Sequence, residues 1–156
     1  MKKTEFRENI FKMLFAALYH TDEESAEQAA LYIDTLGNIS EKNKENLVKK
    51  YEGVLAHREE IDGWINEKAE GWDTQRMARA DLCALRLGIY EMVFDEDVAV
   101  KVAMSEAVNI ISEFGTEKSP DFVNGILAAV NKDEKIEKCK KTERVIEATM
   151  KAEGNE

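Results

Sequence analysis

A chain of 156 residues with 44% hydrophobic residues is long enough for one folded domain with its own core, or two small subdomains. Its 35% charged residues and single proline exclude a collagen-like or Pro-rich disordered chain and suit helices better than a β-sandwich. A formal net charge of −10 speaks against a protein that binds nucleic acid by bulk attraction, since phosphate contacts draw on Lys and Arg.

In chain order, Phe6, Ile10, Met13, Leu14, Ala17 and Leu18 fall at i, i+4, i+7 and i+8, which predicts an amphipathic helix from about Thr4 to Tyr19. Thr21 or Asp22 caps a second helix, whose apolar positions end at Gly37, a helix stop. Ser40 opens a third, carrying Leu47, Val48, Tyr51, Val54 and Leu55 inward. Further helices are expected at Glu59–Ala69, Arg79–Phe94, Val100–Phe114 and Ser119–Asn131. Residues 82–94 are apolar nearly all round, so this helix should be the core axis. The expected fold is all-α: a seven-helix bundle of an N-terminal three-helix and a C-terminal four-helix subdomain. Gly71, between Trp64 and Trp72, is the expected junction. Residues 1–131 form the helical domain. Residues 132–156, rich in interleaved charge and poor in apolar residues, read as a charged C-terminal extension that packs on little.

The start lacks the apolar core of a signal peptide and no run reaches the ~18 apolar residues of a membrane span, so the expected location is the cytosol. Cys83 and Cys139 are then free thiols. His20 and His57 stand at no metal-ligand spacing, there is no phosphate loop, and no serine has the context of a nucleophile. No enzyme, metal or cofactor is expected.

Charge is unevenly distributed. Lys2, Lys3, Arg7 and Lys12 make a mildly basic start, diluted by Glu5 and Glu8, whereas Asp22, Glu23, Glu24, Glu27 and Asp34 form an acidic run suited to a basic partner. Between Phe114 and Leu127 a glycine turn meets a helix start, with Ser119 as N-cap, Pro120 in the first helical position and Asp121 complementing the helix dipole. Phe122 fits either a core position or a ring open to a base. Gly125, costing roughly 1 kcal/mol of helix propensity, suggests a close backbone neighbour. Asn124 reads as a buried packing residue, and Arg86 as the partner of a carboxylate such as Glu106 or Glu91.

Four ordered segments resemble the NusB family of bacterial transcription antitermination factors: Ile10–Phe15, Ala69-Glu70-Gly71-Trp72, Leu85–Glu91, and Val102–Val108 leading into Phe114–Leu127. The likeness covers roughly residues 4 to 131. It implies a helical protein that binds boxA-type single-stranded RNA in ribosomal-RNA leaders. The partner it implies is a small-subunit ribosomal protein acting as NusE, in an RNA polymerase elongation complex with other Nus factors; a homodimer is left open. By position it maps RNA contact onto Lys2, Lys3, Arg7, Lys118, Ser119 and Phe122, and partner contact onto Gln75, Arg76 and Asp81. The start is lysine-led where many relatives are arginine-rich, and Lys118 replaces an acidic residue seen in some. The competing reading is an acidic helical adaptor that binds basic proteins without touching RNA. A third, the module attached to ribosomal-RNA methyltransferases, leaves no room here for a catalytic domain.

Overall fold

The computed structural model describes residues 1–136, in which the apolar repeats become seven α-helices with no strand. They divide into two compact units. The first, Met1–Arg58, holds α1 (Lys3–Ala17), α2 (Asp22–Asp34) and α3 (Glu41–Ala56). Helix starts follow local chemistry. Thr21 Oγ1 accepts from Glu24 N–H at 3.3 Å and Ser40 Oγ from Asn43 N–H at 3.1 Å, each side chain capping the first turn of its helix. Ile10, Met13, Leu14, Ile33, Leu47 and Val54 fill the core. Two tyrosine hydroxyls tie the helices across it: Tyr32 donates to Asn9 Oδ1 at 2.8 Å and Tyr51 to the Ser25 carbonyl at 3.4 Å. Burial raises the pKa of both phenols, so they stay protonated donors.

The second unit starts at Glu59 and contains α4 (Arg58–Lys68), α5 (Arg79–Val93), α6 (Val100–Phe114) and α7 (Ser119–Lys132). The three-plus-four division of helices is as expected, but its boundary falls at Arg58, not Gly71. The reason lies in α4. Ile61 and Ile65 are fully buried, and Asp62 accepts two hydrogen bonds from Arg86 of α5 at 2.9 and 2.7 Å, so α4 belongs with the helix that follows. The carboxylate that the structure identifies for Arg86 is thus Asp62, rather than the expected Glu106 or Glu91.

Helix α5 is the core axis: every residue from Asp81 to Val93 except Tyr90 is buried. Only glycine fits at position 88. An added Cβ would stand 2.9 Å from the Cβ of Ala107 on α6 and 3.3 Å from Leu127 on α7. This, and not Gly125, is where helices approach closely; nothing lies within 4 Å of a Cβ built on Gly125, and Asn124 beside it is exposed.

The expected extension begins inside α7, which runs to Lys132. The next residues also pack: Asp133 accepts from Lys68 Nζ at 2.7 Å and Ile136 is buried. Cys139, Val145, Ile146 and the rest of the expected extension lie outside the described residues.

Candidate nucleic-acid interface

In the first unit the chain enters α1 through Lys2, whose extended backbone (φ −71°, ψ 153°) lets its carbonyl accept from Phe6 N–H at 2.9 Å. Lys2 and Lys3 are exposed, with Glu5 in the same turn. Arg7 is not displayed with them: only 6% of it is exposed and it has an interaction of its own. A further cation that spacing alone does not bring here is Lys50 of α3, whose Nζ lies 5.5 Å from the Phe6 ring centroid in a cation–π contact. Residues 6 and 50 meet only because α1 packs on α3.

In the second unit the turn between α6 and α7 is built around Ser119. This serine is the first residue of α7 rather than its N-cap, and it is 1% exposed. Its Oγ accepts from Thr116 N–H at 2.9 Å and lies 3.2 Å from Thr116 Oγ1, a hydroxyl reaching back three residues in the manner of a capping box. A Cβ on Gly115 would meet that hydroxyl at 2.6 Å, so glycine is needed for the closure. Ser119 therefore shapes the turn, with its hydroxyl engaged by Thr116. Lys118, just before it, is exposed, and Phe122, one turn on, is half-buried.

Beside Phe122 stands a residue the sequence used only as a landmark. Trp72 is 53% exposed and meets the Phe122 ring edge-on, with centroids 6.4 Å apart and planes at 74°. The loop that carries it is firmly held. Asp73 Oδ1 accepts from the N–H groups of Gln75 and Arg76, Asn66 Oδ1 accepts from Thr74 N–H at 2.8 Å, and Arg79 donates to the carbonyls of Thr74 and Met77. Tryptophan is highly buried on average, so its unusual exposure is the signal, and no single sequence displays it.

The expected partner residues separate. Gln75 and Arg76 project from this loop into solvent, whereas Asp81 is only 7% exposed in the first turn of α5. Its Oδ1 is buried without a hydrogen-bond partner, offset by the favourable field at a helix N-terminus. Asp81 is thus less open to a partner than Gln75 and Arg76.

Among the described residues no cluster of His, Cys, Asp or Glu could hold a metal ion, and no helix is long and apolar enough to cross a membrane. Cys83 is fully buried, which pushes its thiol up to about 12 and leaves no reactive thiolate at neutral pH.

Residues 4–132 match the NusB family. The transcription antitermination protein NusB of Agathobacter rectalis is 41% identical over 128 residues, spanning 82% of this chain and 98% of that protein. Its counterpart from Lachnoclostridium phytofermentans is 38% identical over 130 residues, spanning 83% and 98%. Among solved structures, T. maritima NusB matches with a TM-score of 0.77 at 31% identity, over 85% of this chain and 92% of that one. A crystal structure of the antitermination factors NusB and NusE in complex with dsRNA shares the fold, with a TM-score of 0.74 at 24% identity over 83% and 96%.

Proposed function

The chain belongs to the NusB family, and from that premise we propose that it is a transcription antitermination factor acting on boxA-type single-stranded RNA of ribosomal-RNA leaders. It does so in the cytoplasm as a heterodimer with the ribosomal protein that serves as NusE, within an elongating RNA polymerase complex that includes other Nus factors. The observation that carries this reading is that the family match runs through both units and takes in the Lys118–Phe122 turn, where exposed Lys118 stands one helical turn before half-buried Phe122.

The residues divide the work by their chemistry. Lys2 and Lys3 in the first unit and Lys118 in the second offer charge to phosphates. Phe122 offers a ring for base stacking. Ser119 sets the turn, and Arg7 is largely covered within α1. Gln75 and Arg76 are the outward residues of the proposed partner surface. The net charge of −10 agrees with shared binding: few cations are available on this chain, and a basic partner can supply the rest.

The deciding experiment titrates boxA-like and scrambled RNA against the protein, alone and with its ribosomal partner, over a range of salt. Preference for boxA that tightens with the partner is the expected result. Replacing Lys2 and Lys3 by alanine should weaken both RNAs alike and flatten the salt slope by roughly 0.7 per lost contact. Partner binding with no RNA contact by this chain would favour the acidic adaptor instead.

A further inference from the structure

The geometry points to Trp72 as an RNA contact in its own right: we propose that Trp72 and Phe122 together form a two-ring seat for one unstacked nucleobase. The proposal rests on the RNA-binding reading above and gives its second-unit contact a chemical class, a planar base rather than a phosphate.

Three observations converge on it. Trp72 leaves 53% of its surface in water although a large apolar ring gains from burial. It is no loosely hung side chain, because the Asp73, Asn66 and Arg79 hydrogen bonds fix residues 73–77 immediately after it, and Trp72 N–H itself donates to the Ala69 carbonyl at 3.0 Å. A preorganised ring costs little entropy to use. Finally, planes at 74° make a corner, in which a base lying on one ring has the other at its edge.

Local charge separates base from phosphate. Lys118 is flanked by Glu117 and Ser119, while Glu70, Asp73 and Asp121 adjoin Trp72 and Phe122 in sequence. A phosphate held by Lys118 would be released as salt rises, whereas stacking on the two rings barely depends on salt.

The test uses the full chain with its ribosomal partner and a boxA-like RNA oligonucleotide. The protein has two tryptophans, and Trp64 stacks on Phe94, so Trp64→Phe leaves Trp72 as the sole reporter with that packing kept. Saturable change of Trp72 emission on titration is expected. Trp72→Ala should weaken binding by roughly fivefold to a hundredfold with an unchanged salt slope, and Trp72→Phe should retain most of the affinity. Unaltered affinity in Trp72→Ala, together with unchanged Trp72 emission while labelled RNA binds, would overturn the seat and leave the RNA-binding reading standing. Should Trp72→Ala fail to fold, the emission titration decides alone. Failure of the unsubstituted complex to bind RNA at all would remove the functional reading and the seat with it.

Discussion

In the second unit α5 is enclosed so completely that a single methyl group at Gly88 has no place to go, whereas in the first unit α1 and α2 leave a groove of 230 Å³ lined by residues such as Met13, Ala17, Ala29 and Tyr32. The difference follows from residue type. An all-round apolar helix with a glycine at the contact point draws its neighbours into interlocking contact. Helix α2 buries only Ser25, Ala29 and Ile33, so it closes on its neighbour less fully and is held in register by polar ties such as Tyr32 to Asn9.

This contrast can be broken by truncation. Leu85→Ala should cost about 4 kcal/mol, near the top of the range for a buried leucine, because its surroundings cannot collapse into the gap. Ile33→Ala in the first unit should cost nearer 2 kcal/mol. Equal losses in denaturant midpoint would show that the two cores are packed alike.

Next in size is the tie that assigns α4 to the second unit. Arg86→Ala strands the Asp62 carboxylate in a partly covered position and should cost about 3 kcal/mol, at the low end for breaking a buried pair. A loss below about 1 kcal/mol in urea unfolding would mean that Ile61 and Ile65 hold α4 without it.

The two helical glycines sharpen the comparison within the second unit. Gly88→Ala should destabilise by about 1–2 kcal/mol, since overpacking outweighs the ~1 kcal/mol gain in propensity. Gly125→Ala meets open space and should stabilise by up to ~1 kcal/mol. Melting temperatures moving in the same direction would refute the packing of Gly88.

The smallest effect is electrostatic. The hydrogen bond from Lys68 holds the Asp133 carboxyl below its ordinary pKa, and the same bond raises that of Lys68. The Asp133 contribution is thus present above its unfolded pKa and lost as pH falls through the folded value. The Lys68 contribution is lost only as pH rises through a value above the usual lysine range. The melting difference between the unaltered chain and Asp133→Asn should therefore be greatest near neutrality and close in acid. A pH-independent difference would mean that Asp133 acts through some other contact.

Seven helices and their order were set by the sequence alone, because the signals are local: apolar spacing, Ser40 and Thr21 as caps, and a helix from Val100 to Phe114 found with the expected bounds. The ordered segments from Ile10 to Leu127 also carried the family. Which way a side chain faces was decided only by tertiary structure. Arg7, Asp81 and Ser119 turned inward, Trp72 turned outward, Asp62 took Arg86, and the boundary moved from Gly71 to Arg58. Each of these depends on a neighbour supplied by another helix, and exposure is a property of that packing, not of the residue or its spacing.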